Sequence, residues 1–220
     1  MALVLFDIDG TLIRTRGAGR EALDEAFATR FGWPEATREV DVAGSTDTVI
    51  VEAVARRHGG VVDPAHVHDL YLDGLRRRLA DPRRTEVLPG VRRVLDALRG
   101  RATVGLLTGN WRAGAEAKLG VADLWHHFPF GAFAADAPDR NRLYPVAVDR
   151  ARAAGWDGRG PVLVIGDTPA DVACARYGGG VAVAVATGFA TVEALRASGP
   201  DVLLPDLEAG HDEVLALALG

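Results

Sequence analysis

Six short apolar runs limit most strongly what this chain can fold into. They span residues 2–8, 102–108, 128–134, 160–167, 180–187 and 201–205, and Gly, Asp or Thr ends most of them. Runs that are apolar at consecutive positions suit strands of a parallel sheet covered by helices on both faces. Helical patterns fill the intervals, at residues 89–100, 112–125, 143–155, 168–178 and 190–198. This alternation predicts an α/β fold with a doubly wound parallel sheet.

One long interval breaks the alternation. Between Ile8 and Ala102, about ninety residues contain no convincing strand and instead show helical patterns at 19–32, 45–60 and 63–82. Ser45 is the predicted N-cap of the second of these helices. We therefore expect residues 1–13 and 88–220 to form the core domain. Residues 14–87, the helical insert, are expected to form an all-helical cap after the first strand, over the carboxyl edge of the sheet.

The composition of the chain excludes several classes of protein. Its 220 residues, 48% apolar and 25% charged, are enough for one large core, or for a core with a small second domain. The net charge of −5 and the pI of about 5.7 argue against nucleic acid as a partner. A single cysteine, Cys174, excludes an internal disulfide, and the first apolar run stops at Asp7, too early for a signal peptide or membrane span. We expect a cytoplasmic protein with no membrane partner.

Polar residues follow three predicted strands at their carboxyl ends, where open α/β sheets bind ligands. They are Asp7 and Asp9, then Thr108, Gly109 and Asn110, then Asp167 and Asp171. Residues two apart on a strand point to the same side, so Asp7 and Asp9 are expected to act on one bound group. Oxygen ligands from Asp7, Asp167 and a nearby carbonyl suit Mg²⁺. Thr108 and the amides that follow it predict an anion cradle.

Taken alone, Asp7 and Asp9 leave four readings open: a metal site, an acid/base pair, a nucleophile or a polar turn. The sequences "DIDGT", "LLTGN" and "GDTPADV" resemble motifs I, II and IV of the haloacid dehalogenase (HAD) superfamily, in its phosphatase branch. The helical insert resembles the C1-type cap of phosphoglycolate phosphatases and related sugar phosphatases. The resemblance covers essentially the whole chain in order and spacing.

This resemblance implies a Mg²⁺-dependent phosphatase, a phosphoric monoester hydrolase acting on a small phosphorylated metabolite. It assigns Asp7 as the nucleophile that forms an aspartyl-phosphate, and Asp9 as the residue that protonates the leaving alcohol and then deprotonates the attacking water. Thr108, Gly109 and Asn110 would hold the phosphoryl oxygens. Asp7, the carbonyl of Asp9 and Asp167 would bind Mg²⁺, with Asp171 supporting these ligands.

The third motif of the family departs from its usual form. A lysine is expected shortly before the fourth strand, yet residues 136–151 contain none, and Lys118 is the only lysine of the chain. Arg140, in the "DRN" turn, and Arg142, three residues before Pro145, are the alternatives, and we favour Arg140 as the catalytic residue. Lys118 lies about eight residues into the predicted helix after Thr108, roughly 12 Å along its axis, and is expected to face away.

Other functions stay open on this fold. A 2-haloacid dehalogenase would use an aspartate without a metal, and a phosphoglucomutase-type enzyme would pass the phosphoryl group to a sugar. A non-catalytic phosphate- or partner-binding module is the alternative from another class. Arg20 is expected to be either a substrate contact or a solvated helix charge, and the chain is expected to be a monomer or a homodimer.

Overall fold

The computed structural model of the chain describes residues 1–40 and 42–220. Its strands are β1 (Leu3–Phe6), β2 (Ile13–Arg14), β3 (Glu86–Val87), β4 (Thr103–Leu107), β5 (Gly131–Ala132), β6 (Val162–Gly166), β7 (Val181–Val185) and β8 (Val202–Leu204). Its α-helices are α1 (Ala18–Phe31), α2 (Asp47–Arg57), α3 (Ala65–Leu79), α4 (Val91–Leu98), α5 (Arg112–Val121), α6 (Leu143–Ala153), α7 (Pro169–Tyr177), α8 (Val192–Ala197) and α9 (His211–Leu219).

Six strands form one parallel sheet in the order β5-β4-β1-β6-β7-β8. Alternate residues of β1 enter different cores: Val4 and Phe6 pack with α4, α5 and α9, whereas Leu3 and Leu5 pack with α6, α7 and α8. Both faces of the sheet are therefore covered by helices, which explains why its strands are apolar at consecutive positions. The predicted doubly wound α/β fold is confirmed, and each of the six predicted strands is present.

A short antiparallel pair, β2 with β3, was not predicted from the sequence. Ile13 pairs with Val87, and Arg14 pairs with Glu86. The prediction of no strand between Ile8 and Ala102 is wrong because two-residue strands are too short to give a periodic pattern. The pair joins the two ends of the helical insert, so the chain leaves and re-enters the core at one place.

Helices α1, α2 and α3 of the insert pack around a further hydrophobic cluster, which also includes Trp111 and Ala134 of the core. Phe27, Val51, Tyr71 and Leu75 are buried at its centre. The expected N-cap of α2 at Ser45 is wrong by one residue, because the extended Thr46 accepts a hydrogen bond from the amide of Val49 through its side chain. The limits of the insert at residues 14 and 87 stay a prediction.

The last helix, α9, was not predicted and packs on the same face of the sheet as α4. Val214 and Ala218 are its buried contacts in that core. It has nine residues and is mostly apolar. Even so, none of the helices in the described part of the chain has the length and apolar character needed to cross a membrane.

Candidate active site

The strand order places three polar strand ends side by side. Strand β1 lies between β4 and β6, so Asp7, just beyond β1, lies between Thr108 and Asp167. After Asp9 the chain turns at Gly10, whose φ is 84°. A Cβ at Gly10 would lie 2.5 Å from Asp167 Oδ2, so this turn requires glycine. The predicted meeting of these residues at one edge of the sheet is observed.

Three buried carboxylates form an acidic cluster. One oxygen each of Asp7, Asp167 and Asp171 lies within 4.8 Å of the others. Burial raises the pKa of Asp7, as does the charge of Asp171, against the opposing effect of Arg140. Burial also raises the pKa of Asp167, and the charges of Asp171 and Asp7 add to that effect. The cluster holds more negative charge than its one arginine neutralises, which favours a bound cation.

The carboxylate oxygens of this cluster suit a hard divalent ion such as Mg²⁺, which prefers oxygen ligands. Asp167 accepts a hydrogen bond from the amide of Phe189 (2.8 Å) and a long one from the Thr11 hydroxyl (3.4 Å). The main-chain carbonyl of Asp9 accepts no hydrogen bond from any residue that the structure describes. Free acceptor capacity therefore remains on Asp9 and on the carboxylates of the cluster, as a cation site requires.

Asp171 differs from the other two carboxylates because donors surround it. Its Oδ2 accepts from the amide of Thr168 (3.0 Å) and the hydroxyl of Thr168 (2.6 Å), and its Oδ1 pairs with Arg140 (2.5 Å). With these contacts made, Asp171 is suited to fixing the loop between β6 and α7 and the position of Arg140.

Arg140 reaches the cluster from the short 3₁₀ turn Arg140–Arg142. Its Nη2 lies 3.1 Å from Asp7 Oδ1, and its Nη1 donates to the carbonyl of Gly44 at 3.2 Å. Arg142 instead lies over the ring of Tyr177, 5.4 Å from its centroid, and away from the carboxylates. Of the two arginines considered, only Arg140 contacts a predicted catalytic residue.

Lys118 also reaches the site, and the prediction that it faces away is wrong. Its Nζ lies 2.6 Å from Asp9 Oδ2 and 2.6 Å from Asn110 Oδ1. Helix α5 begins at Arg112, where its pattern predicts, so Lys118 stands in its second turn. Helical side chains tilt towards the N-terminus of their helix, and the long lysine chain therefore extends back to the strand end.

The Thr108–Asn110 segment links the two aspartates to α5. Asn110 Nδ2 donates to Asp9 Oδ2 (2.8 Å) and to Thr108 Oγ1 (2.9 Å). The amide of Gly109 makes no hydrogen bond to a residue of the described chain, so it is available to an anion. The main-chain amide of Asn110 lies 3.3 Å from Thr108 Oγ1 and is therefore less available. The amide of Gly109 and the side chain of Thr108 are thus the better donors for the predicted cradle.

Asp47, the first residue of α2, is a site residue that sequence reasoning missed. It is 9% exposed, and its Oδ2 accepts from the amide of Trp111 at 2.8 Å, while its own amide donates to the carbonyl of Gly109 at 2.7 Å. A Cβ at Gly109 would lie 2.2 Å from the carbonyl oxygen of Ser45. The insert is therefore joined directly to the segment that follows Thr108. An acidic residue next to a helix N-cap is common in helices, so Asp47 did not stand out in the sequence as a site residue.

A cavity of about 500 Å³ opens between the insert and the sheet edge. Its lining includes Asp7, Asp9, Asp47, Tyr71 and Lys118. Arg20 also lines it, but its guanidinium donates to the side chain (3.1 Å) and the carbonyl (2.5 Å) of Thr37. The volume suits a small metabolite enclosed by both parts of the chain.

The site and the fold agree with known proteins. The family model for haloacid dehalogenase-like hydrolases matches residues 1–179. The chain belongs to the haloacid dehalogenase-like hydrolase family. This confirms the family predicted from the three motifs, and a haloacid dehalogenase-like hydrolase is an enzyme, as the motifs also predicted.

Individual relatives of this haloacid dehalogenase-like hydrolase cover almost all of it. A phosphoglycolate phosphatase from Synechococcus elongatus is 32% identical over 213 residues, which are 93% of this chain and 92% of that protein. A hydrolase from Pseudomonas syringae, 19% identical, has a TM-score of 0.74 over 99% of both chains. A predicted phosphoglycolate phosphatase from Haemophilus somnus, 17% identical, has a TM-score of 0.72 over 96% of both chains. The two solved structures share the fold of this chain.

The burial of Asp47 gives this haloacid dehalogenase-like hydrolase a testable pH dependence. Burial raises the pKa of Asp47 from 3.8 to about 6, and Asp9 adds to this, while Lys118, the Trp111 amide and His68 oppose it. The unfolded chain loses this proton near pH 4, but the folded protein keeps it until about pH 6. Stability therefore falls as the pH rises through that window, by about 3 kcal/mol in total.

We expect Asp47→Asn to remove the part of the fall in stability that Asp47 causes between about pH 4 and pH 6. The free energy of unfolding of the variant minus that of the wild type should rise by about 3 kcal/mol between pH 4 and pH 8. Urea titrations in EDTA at several pH values measure this difference. Asp73→Asn, which removes an exposed carboxylate of α3, is the matched control. A difference that stays constant with pH for Asp47→Asn would contradict the prediction.

Proposed function

We propose that the chain is a Mg²⁺-dependent phosphomonoester hydrolase that acts on a small phosphorylated metabolite through an aspartyl-phosphate. One observation carries this proposal: Asp7 and Asp9 stand two residues apart at one strand end, and each has its own cationic partner. Arg140 contacts Asp7, whereas Lys118 and Asn110 contact Asp9. Two carboxylates in different surroundings suit two different roles, a nucleophile and an acid/base.

In the first step Asp7 attacks phosphorus, and the bond between phosphorus and the leaving oxygen breaks. Arg140 fixes the carboxylate of Asp7, while Thr108 and the free amide of Gly109 donate to the phosphoryl oxygens. Asp9 gives its proton to the leaving alcohol at the same time. The residues thus position the reactants and neutralise charge, which is most of what phosphoryl transfer requires.

In the second step Asp9, now a carboxylate, takes a proton from a water molecule that attacks the aspartyl-phosphate. The bond between phosphorus and Asp7 then breaks, which releases phosphate and regenerates the carboxylate of Asp7. Asp7, the carbonyl of Asp9 and Asp167 are the residues that would hold Mg²⁺, and Asp171 supports them through Arg140 and Thr168. When bound, Mg²⁺ supplies positive charge against the phosphoryl oxygens.

The helical insert acts in this proposal as the cap that encloses the substrate. Tyr71 and Asp47 of the insert line the cavity beside Asp9, where the leaving group would lie. The relative from Synechococcus elongatus is a phosphoglycolate phosphatase, so phosphoglycolate is the first candidate substrate for this chain. The expected cytoplasmic location, and the expected monomer or homodimer, stay predictions.

A phosphate-release screen tests the proposal. The full chain is incubated with phosphoglycolate, sugar phosphates, nucleoside monophosphates and p-nitrophenyl phosphate, with Mg²⁺ or with EDTA. We expect phosphate release from at least one alkyl phosphate, and its loss in EDTA. Activity that is indifferent to EDTA, or a phosphorylated product without free phosphate, would overturn the proposal in favour of a dehalogenase or a phosphoryl-transfer enzyme. No release from any compound with Mg²⁺ would favour a binding module.

A further inference from the structure

Lys118 is the only lysine of the chain, and it is 4% exposed within the site. Its ammonium group and the side-chain amide of Asn110 both donate to the same oxygen, Asp9 Oδ2, at 2.6 Å and 2.8 Å. The ammonium also donates to Asn110 Oδ1 at 2.6 Å. Lys118, Asn110 and Asp9 therefore form a closed ring of hydrogen bonds. Each member fixes the position of the other two.

We propose that Lys118 is the positioning residue of Asp9, holding one oxygen of its carboxylate so that the other carries the proton exchanged with the substrate. This inference rests on the proposed function, because it assigns a role within that reaction. It gives Lys118 a task separate from that of Arg140, which contacts Asp7 and Asp171.

The two oxygens of Asp9 have unequal surroundings. Oδ2 accepts the two short hydrogen bonds of the ring, whereas Oδ1 has a single donor among the described residues, the Thr15 hydroxyl at 3.5 Å. An oxygen that already accepts from an ammonium and an amide is a poor site for a proton. The proton of the acid form therefore belongs on Oδ1. Lys118 and Asn110 select that oxygen.

The proton balance of the reaction is simple in this arrangement. As phosphorus bonds to Asp7, the proton on Asp9 Oδ1 passes to the leaving oxygen, and Asp9 remains as a carboxylate beside the Lys118 ammonium. In the second step a water proton returns to Oδ1 as the water oxygen bonds to phosphorus and the bond to Asp7 breaks. Lys118 exchanges no proton with the substrate or the water in either step, so it acts through Asp9 and touches no reacting atom.

Packing around Lys118 keeps its ammonium in this position. A Cβ at Gly19 of α1 would lie 3.4 Å from Lys118 Nζ and 4.0 Å from the Tyr71 hydroxyl. One helical turn before Lys118, a Cβ at Gly114 would lie 3.0 Å from that same hydroxyl. The ammonium therefore lies in a narrow slot between the core and the insert. Breaking its pair with Asp9 would leave a buried charge unpaired, which is strongly unfavourable.

A leaving-group comparison tests the proposal in the full-length protein with Mg²⁺. The substrates are p-nitrophenyl phosphate, whose leaving group needs no proton, and phosphoglycolate or whichever alkyl phosphate the screen shows to be cleaved fastest. In Lys118→Met we expect the first turnover of the alkyl phosphate to slow by about 100-fold. The first turnover of p-nitrophenyl phosphate should stay within about threefold of wild type, followed by a slow steady state as water attack becomes limiting.

Two further variants separate positioning from folding. Lys118→Arg keeps the charge and should restore part of the first-turnover rate on the alkyl phosphate. Arg150→Met removes an ion pair with Asp136 outside the site and should leave both rates unchanged. Equal slowing of the first turnover on both substrates in Lys118→Met, or no slowing on either, would overturn the proposal.

A spectroscopic test does not depend on catalysis. Because the chain has one lysine, labelling with ¹⁵N-lysine gives one side-chain ammonium signal in NMR spectra. We expect this signal to shift strongly in Asp9→Asn and to stay unchanged in Arg150→Met. An unshifted signal in Asp9→Asn would refute the contact itself. If the signal shifts but wild type releases no phosphate, the proposed function fails while the contact stands.

Discussion

Asp7→Asn is expected to lower phosphate release by about 10⁴-fold or more, because an amide cannot form the aspartyl-phosphate. The fold should survive the change, since Asn can still accept a hydrogen bond from Arg140. Burial and the neighbouring carboxylates raise the pKa of Asp7, so its charge costs stability when no cation is bound. In EDTA we therefore expect the thermal midpoint of the variant to equal or exceed that of the wild type.

Asp9→Asn is the contrasting variant for this experiment. It keeps the nucleophile but removes the group that activates water, so p-nitrophenyl phosphate should leave a phosphorylated enzyme that intact-mass spectrometry detects. Asp7→Asn should show no such adduct under the same conditions. Full activity of Asp7→Asn, or an adduct on it, would refute the assignment of Asp7 as the nucleophile.

Arg140→Met is expected to have the second large effect, on stability as well as on rate. Arg140 is 9% exposed and is the cation that pairs with Asp7 and Asp171. Removing it leaves buried carboxylates unpaired, which should cost about 3–5 kcal/mol in the free energy of unfolding. Phosphate release should fall by about 100-fold or more, because Asp7 loses the group that orients it.

Arg140→Lys and Arg142→Met complete this test. Lysine keeps the charge but offers one nitrogen, whereas Arg140 contacts Asp7 and Asp171 through Nη2 and donates to the Gly44 carbonyl through Nη1, so we expect an intermediate loss of stability. Arg142 lies over Tyr177, and its replacement should change the free energy of unfolding by less than about 0.5 kcal/mol. Urea titrations in EDTA and in Mg²⁺ measure these effects, and Mg²⁺ should restore part of the stability of Arg140→Met. Equal stability of Arg140→Met and Arg142→Met would contradict the prediction.

Features that depend on a few neighbouring residues were predictable from the sequence. The six strands follow from runs that are apolar at consecutive positions, and their polar ends identified Asp7, Asp9, Thr108 and Asp167 as one site. This worked because parallel strands in an open sheet carry their ligands at one edge, whatever the details of packing. The pairing of β2 with β3 escaped because two residues are too few to give a period.

Features that depend on the reach of a side chain or on contacts distant in sequence were not predictable. Lys118 was expected to face away because only its distance along the helix axis was counted, without the reach of its side chain back towards the strand end. Asp47 was missed because its partners, Gly109 and Trp111, lie more than sixty residues away in the chain. The structure places Arg140 against Asp7 and Arg142 against Tyr177, and the catalytic role of Arg140 stays a proposal.

The absence of a side chain at Gly109 has a consequence for how the proposed enzyme works in cycles. Asp47 and the carbonyl of Ser45 sit directly on this residue, which belongs to the segment proposed to bind phosphate. Opening of the insert away from the core would break the hydrogen bonds that Asp47 makes with Gly109 and Trp111. In the proposed reaction, product release by such an opening would therefore also loosen the segment that binds phosphate. A larger residue at position 109 would clash with the carbonyl of Ser45 and keep the insert from packing fully against the core.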